Sequence, residues 1–460
     1  MDSGWFFERL GQFGQRTALV WAEQEHSFAE LLGKAEAWRK VLSQQGVAPG
    51  DCVALLGGFS PSTTTLLLAL IANGNIAVPL TSPSASERQR SLEISQTDCL
   101  FQFNPDDSWN FSRLDALGKN PLLEEFRLTG DPGLILLSSG STGQTKASLH
   151  SFARLMGNYH KPRVAYRTLA FLLLDHIGGI NTLLNILGNG GTVVSLPERT
   201  PEAICRGIER YRVQLLPTTP TFLRMLLISE AYKKFDLGSL ELITYGTEPM
   251  PLATLDELHR VFPRARLKQT YGLTDVGILP SKSEGNDSLW LAVGGDGYET
   301  KIVDGVLWIR TPSAMLGYLN APSPFDEQGW FNTGDVVERR GELIRFLGRK
   351  SEIINIGGEK VFPAEVENVI QQVENVKEVT VRGRPNAITG NIVVATVELA
   401  QPEDPDALET RIRAACLARL APFKVPALIE VASDALCSAR FKKIRKLKAR
   451  PRGTKDEESR

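Results

Sequence analysis

Residues 136–147 read Leu-Leu-Ser-Ser-Gly-Ser-Thr-Gly-Gln-Thr-Lys-Ala: small hydroxyl residues, two glycines and a lysine behind an apolar run. Such a set can hold a phosphate. Gly140 and Gly143 let the backbone approach an anion closely, while Ser138, Ser139, Ser141, Thr142 and Thr145 offer hydroxyl donors. Lys146 adds one mobile positive charge. Only Ser141 and Thr142 separate the glycines, so the loop fails the G-x-x-x-x-G-K-[ST] pattern of P-loop nucleotidases. The competing reading is a solvated Ser/Gly linker, but linkers seldom follow a run such as Leu134-Ile135-Leu136-Leu137, which has the character of a buried strand.

Other clusters could also do chemistry. Tyr271-Gly272-Leu273-Thr274-Asp275 sets an aromatic ring, a hydroxyl and a carboxylate close together. Thr333-Gly334-Asp335 is followed by Gly348-Arg349, Gly246-Thr247-Glu248-Pro249 follows an expected strand at 242–245, and Asp175-His176-Ile177-Gly178-Gly179 follows an expected apolar strand at 169–174. Taken singly, each is also an ordinary turn. Nine Lys or Arg and no acid fall in residues 440–455, which reads as an anion-binding patch or a solvated end.

The elements that must position these residues alternate between strand and helix. Helical periodicity runs over 28–45, a buried strand over 51–56, a mostly apolar helix over 61–72 and strands over 76–80, 98–101, 191–194, 213–216 and 241–244. That pattern predicts an α/β fold with largely parallel sheets. From about residue 290 short strands and turns predict a barrel-like or antiparallel unit. After Gly348-Arg349 a compact unit follows, with a helix at 363–373, strands at 376–381 and 392–399 and a helix at 405–420.

Length and composition bound the answer. The 460 residues exceed one ordinary core at roughly 150 residues per domain, and the apolar (42%) and charged (23%) fractions are those of a globular chain. The five cysteines form no CxxC pair and the five histidines no metal-ligand spacing, which argues against structural zinc and for a reducing, cytoplasmic setting. No signal-peptide pattern opens the sequence and no apolar run reaches the roughly 18 residues of a membrane span. Neither a nucleic-acid partner nor a membrane span is expected.

In chain order these motifs resemble the adenylate-forming superfamily of acyl-CoA synthetases, aryl-CoA ligases, peptide-synthetase adenylation domains and luciferases. The resemblance rests on residues 138–146, 271–275, Thr333-Gly334-Asp335, Gly348-Arg349 and 357–367 (Gly-Gly-Glu-Lys-Val-Phe-Pro-Ala-Glu-Val-Glu) and spans nearly the whole chain. The compact length and the Asp-His-Ile-Gly-Gly loop look most like the shorter bacterial ligases, o-succinylbenzoate-CoA ligases among them. It implies a large N-terminal AMP-binding domain, residues 1–348, of α/β subdomains with a small β-barrel-like unit. A small mobile α+β C-terminal domain, residues 349–460, would swivel about Lys350-Ser351. Such enzymes use ATP and Mg²⁺ to join a carboxylic acid to AMP with release of pyrophosphate, and most then pass the acyl group to a thiol.

The same resemblance implies roles. Ser138, Ser139, Gly140, Ser141, Thr142, Gly143 and Lys146 would hold the β- and γ-phosphates, Thr274 would sit beside the α-phosphate, and Asp275 would bind Mg²⁺ where the family usually has Glu. Tyr271 and Gly272, with Gly246, Thr247 and Glu248, would flank adenine, and Asp335 and Arg349 would meet the ribose. His176 would position and gate the acyl group, with Asn181, Thr218, Thr219 and residues 272–278 as acyl-pocket walls. Aligning residues 436–446 with the family's closing Pro-x-Thr-x-x-Gly-Lys-Ile-x-Arg makes Lys443 the adenylation lysine. Lys442 then stands for the family's Gly, Cys437 for its Pro and Ala439 for its Thr, and Lys442 is the rival lysine one residue away. Gly357 and Gly358 would leave room for a phosphopantetheine arm. The thiol acceptor is CoA, with a carrier protein's phosphopantetheine as the alternative; a degenerate, non-catalytic nucleotide-binding protein is a further alternative. The acid and the oligomeric state, a homodimer included, stay open.

Overall fold

The computed structural model describes residues 4–81, 84–115, 120–139, 144–295, 297–438 and 440–444. Gly140, Ser141, Thr142 and Gly143 of the expected phosphate loop, and the basic segment from 445 onward, lie outside the described residues. The chain divides into two compact units, Met1–Ser351 and Glu352–Arg460, so Arg349 belongs to the first.

The first unit is built on two seven-stranded sheets and a six-stranded one. One sheet runs in the order Gly317–Tyr318, Thr145–Ser151, Gly133–Ser139, Ile76–Leu80, Cys52–Leu56, Cys99–Phe103, Trp109–Arg113, with its central strands parallel. Its strands Cys52–Leu56 and Ile76–Leu80 are buried at every residue, as the uninterrupted apolar runs demand. The helix Pro61–Asn73 starts on the Ser60 cap with Pro61 in its first turn and stops at Gly74, whose φ of 73° is a left-handed terminus. It buries Leu66, Leu67, Leu68, Leu70 and Ile71, each contributing about 1.5–3 kcal/mol of apolar burial. Trp38 reaches it from the helix Phe28–Gln44, donating Nε1–H to Thr65 Oγ1 at 3.1 Å.

The second large sheet runs Arg266–Gln269, Leu242–Tyr245, Leu215–Thr218, Arg167–Leu169, Thr192–Val194, Thr17–Trp21, Gln24–Ser27, parallel except for the terminal hairpin. The strand expected at 169–174 is only Arg167–Leu169. Phe171 instead packs on Phe222 with centroids 4.5 Å apart, and the Leu173 carbonyl accepts from His176 N–H in a turn. From Ser281 to Arg349 the third sheet is antiparallel, in keeping with the change of texture in the sequence.

In the second unit the antiparallel pair Val376–Asn386 and Gly390–Leu399 is joined by Leu428–Val431 parallel to the latter. The helices Pro363–Ile370 and Pro405–Leu417 close a core containing Val366, Ile370, Val379, Val397, Leu408 and Ile412. Among the described residues no helix is long and apolar enough to cross a membrane.

Candidate active site

Three of the expected residues meet at one carboxylate. Phe331–Arg340 and Leu343–Arg349 are paired strands whose register sets Asp335 opposite Arg349. Arg349 Nε lies 2.8 Å from Asp335 Oδ1, and Tyr271 donates its hydroxyl to Oδ2 at 2.6 Å. Gly334, at φ 70°, turns the strand so that Asp335 N–H reaches Thr333 Oγ1 at 3.0 Å, and that hydroxyl donates to the Leu307 carbonyl at 2.7 Å. The Tyr271 ring stacks on Phe346 with centroids 4.4 Å apart. Burial, then the Asp335 charge, hold the Tyr271 phenol well above its usual range, so it stays a donor. Asp335 thus presents a carboxylate oriented by Tyr271 and Arg349, the kind of group that accepts hydrogen bonds from a diol.

A second group gathers at the exit of the phosphate-loop segment. Thr145–Ser151 pairs with Gly133–Ser139, Ser138 opposite Lys146, and with Gly317–Tyr318 on its other side. Asn320 pins the crossing, accepting from Ala147 N–H at 3.0 Å and donating to the Thr145 carbonyl at 2.8 Å. Tyr318 therefore lies beneath Lys146, whose Nζ is 4.7 Å from the ring centroid, and donates its hydroxyl to Asp275 Oδ1. Burial, and then that bond, raise the Tyr318 phenol out of the titrating range. Asp275 and Thr274 occupy the turn between Tyr271–Leu273 and Gly277–Leu279. Gly272 is required there, because a Cβ on it would lie 2.5 Å from the Gly277 carbonyl. Among the described residues no three His, Cys, Asp or Glu come together as a metal cage. The hard carboxylate of Asp275 fits Mg²⁺ that takes its remaining oxygens from phosphate and water.

The segment after Leu242–Tyr245 is shaped by close approach. A Cβ on Gly246 would lie 2.7 Å from both the Thr270 carbonyl and its hydroxyl, and Thr247 sits at φ 73°, a strained value for a β-branched residue. Glu248 Oε1 accepts from Thr221 N–H at 2.9 Å, at the start of the helix Pro220–Ser229 that Thr219 caps. His176 caps Ile177–Gly188, its Nδ1 accepting from Gly178 N–H at 3.0 Å, which leaves the neutral ring's proton on Nε2. A Cβ on Gly179 would fall 1.9 Å from the Leu173 carbonyl, so glycine at 179 is a steric necessity.

A cavity of about 540 Å³ opens between Ile177–Gly188 and the sheet, with Asn181, Thr270 and Ile278 in its walls. Thr218 and Thr219 do not line it, since Thr219 is spent on the helix cap. Thr244, Lys268 and Arg266 do line it, and sequence reasoning missed them. The available signal was the alternation of polar and apolar residues in Arg266-Leu267-Lys268. Tyr318 was missed as well, because nothing local marks a residue whose role comes from a cross-strand neighbour.

In the second unit Lys443 follows a turn whose left-handed residue is Phe441, at φ 53°. Its Nζ lies 3.1 Å from Glu378 and 3.3 Å from Glu367, and only 10% of its side chain is exposed. Glu367 also accepts from Val381 N–H at 3.0 Å, and Glu378 from Gln371 at 2.8 Å and Val379 N–H at 2.9 Å.

Residues 6–319 match the AMP-binding enzyme family, and residues 365–442 match the AMP-binding enzyme C-terminal domain. The chain is 30% identical to the indoleacetate–CoA ligase of Aromatoleum aromaticum, over 97% of this chain and 98% of that one. It is 28% identical to the 2-succinylbenzoate–CoA ligase of Bacillus pumilus, over 92% of each. Its fold matches the o-succinylbenzoate CoA synthetase of Bacillus subtilis in complex with an acyl-adenylate intermediate, at a TM-score of 0.76, 23% identity and 96% of each chain. An anthranilate CoA ligase bound to anthranoyl-AMP matches at 0.80, with 20% identity and 95% of each chain. The chain thus belongs to the AMP-binding enzymes, the adenylate-forming superfamily. Within them it is an AMP-forming acid–thiol ligase of the CoA-ligase type, which activates a carboxylate as its adenylate and then forms a thioester.

Proposed function

We propose that this enzyme makes an acyl- or aryl-CoA from ATP, a carboxylic acid and CoA, in the cytoplasm, with the nucleotide held by Tyr271, Asp335 and Arg349. The observation that carries this reading is the convergence of Tyr271 and Arg349 on the Asp335 carboxylate. Asp335 accepts the ribose hydroxyls, Arg349 adds a second ribose contact, and the Tyr271 and Gly272 backbone with Gly246 and Thr247 flanks the base. Ser138, Ser139 and Lys146 hold the distal phosphates together with the loop 140–143. Glu248, occupied at a helix terminus, supports that wall rather than touching the base.

Attack of a carboxylate on the α-phosphate brings two anions together, so the chain must cancel charge and align the groups. Mg²⁺, when bound beside Asp275, screens phosphate charge and favours departure of pyrophosphate. Thr274 contacts the α-phosphate, and His176, which caps the helix carrying Asn181, positions and gates the acyl group. The motif gives Lys443 the role of meeting both carboxylate and α-phosphate. A second reading has its own support: Lys443 is already engaged by two buried glutamates, as a structural anchor would be, which shifts the role to Lys442.

The test is thioester formation with free CoA against holo carrier protein, after acids have been screened by pyrophosphate release. Faster turnover with CoA is expected. Loading of the carrier protein alone would reassign the acceptor to a protein-bound phosphopantetheine.

A further inference from the structure

The acyl cavity carries a charge that adenylation does not explain. Along the parallel strands Leu215–Thr218, Leu242–Tyr245 and Arg266–Gln269, alternate residues share a face, and Leu215, Pro217, Leu242 and Thr244 form the cavity floor beside Arg266 and Lys268. Arg163 and Lys282, exposed like Arg266, complete a basic end, and among the described residues no Asp or Glu lines the cavity. Among the described residues the side chain of Lys268 makes no hydrogen bond or ion pair, and the side chain of Arg266 meets the Tyr166 hydroxyl at 3.2 Å. The loop bearing Arg163 is fixed by its N–H, which donates to Asn189 Oδ1 at 2.6 Å.

Burial, then Arg163 and Arg266, push the Lys268 amine below its ordinary range, with no carboxylate acting the other way. A half-buried cation such as Lys268, set beside two exposed ones, is relieved when an anion joins it. At about 3.3 Å per residue, Lys268 stands about 7 Å and Arg266 about 13 Å along the strand from Thr270, which abuts Gly246 and precedes Tyr271. The apolar floor of Leu215, Pro217 and Leu242 lies alongside Lys268 and Arg266 on the neighbouring strands, where it can meet a spacer.

We propose that the carboxylic acid activated here carries a second anionic group across an apolar spacer, bound by Lys268 and Arg266 with Arg163 at the end of the cavity remote from the nucleotide. The inference rests on the ligase reading for the activated carboxyl only. The separation suits a medium-chain diacid, or an aromatic acid with a distal carboxylate or sulfonate. A malonate-like diacid is too short to reach both ends.

The test uses the full chain and two matched pairs, octanedioate with octanoate and 3-(4-carboxyphenyl)propanoate with 3-phenylpropanoate. Pyrophosphate release gives kcat/KM, and thermal shift without ATP gives binding. The anionic member of each pair is expected to be favoured at least tenfold. Lys268→Met and Arg266→Gln should each lower kcat/KM for the anionic member at least tenfold more than for its partner. Lys268→Glu should shift preference toward 8-aminooctanoate. Equal use of both members, or equal losses in the variants, overturns the proposal. A thermal shift by octanedioate that Lys268→Met abolishes, without pyrophosphate release, keeps the anion site and sinks the adenylating reading. Neither shift nor release with any of these acids overturns both.

Discussion

The carboxylate of Asp335 carries the nucleotide assignment, and its partners let that assignment be graded. Its oxygens already accept from Tyr271 and face Arg349, so a ribose diol would add to an arranged acceptor rather than build one. Hydrogen bonds to a charged group are worth about 1.5–3 kcal/mol each, so Asp335→Asn should raise KM for ATP on the order of a hundredfold. Tyr271→Phe removes one orienting bond and keeps the ring on Phe346, and should raise it about tenfold. Steady-state kinetics with ATP varied would check both, and a larger effect from Tyr271→Phe than from Asp335→Asn would move the ribose elsewhere. Asp335, Arg349, Tyr271 and Asp275 were legible because each lies in a short motif whose residues stay neighbours in the fold. Tyr318 was not, because cross-strand pairing alone places it; for Lys268 and Arg266 the alternation with Leu267 marks a shared face, but a sequence does not display which strands pair and so which cavity that face lines.

At the scale of elements, legibility followed burial on both faces. Cys52–Leu56 and the helix Pro61–Asn73 were readable from apolar runs and caps. Residues 169–174 are just as apolar, yet only Arg167–Leu169 pairs, because a short apolar run does not say whether it packs by ladder or by side chain. The hairpin Val376–Asn386 with Gly390–Leu399 reaches further than its apolar centres, and Pro385 is tolerated there because Val376–Asn386 is the outer strand. The turn into Ile177–Gly188 shows how such details reach the site. The helix carries Asn181 into the acyl cavity, and its first turn lies against the Leu173 carbonyl at Gly179. Gly179→Ala would force backbone against backbone, so a loss of about 3 kcal/mol in urea unfolding is expected. The KM for the acid should rise more than the KM for ATP. A variant of unchanged stability would show that the turn can relax, and the steric account would fail.

For the whole molecule, acid stability and catalysis separate the two units. His150 in the first unit is buried on the strand Thr145–Ser151, and burial drops its imidazole to about 3. The folded state thus refuses a proton that the unfolded chain takes near pH 6.5, so stability is intact above that value and is lost as pH falls toward 3. Replacing His150 by Phe should flatten the dependence of unfolding free energy on pH between about 6 and 4 by up to one proton's worth. An unchanged slope would show that other groups dominate.

Catalysis supplies the sharper division, because the residues proposed for the nucleotide lie in the first unit and Lys443 in the second. Charge cancellation is needed when carboxylate meets α-phosphate, and no longer once the adenylate exists. Lys443→Ala should therefore abolish carboxylate-dependent ATP–pyrophosphate exchange while thioester formation from a supplied acyl-adenylate stays within a few-fold. The same change strips Glu367 and Glu378 of their buried cation, with a stability loss of about 3 kcal/mol or more confined to the second unit. If that loss appears and both half-reactions fall together, Lys443 is an anchor. Lys442→Ala must then show the selective loss of exchange, and the motif is read one residue earlier.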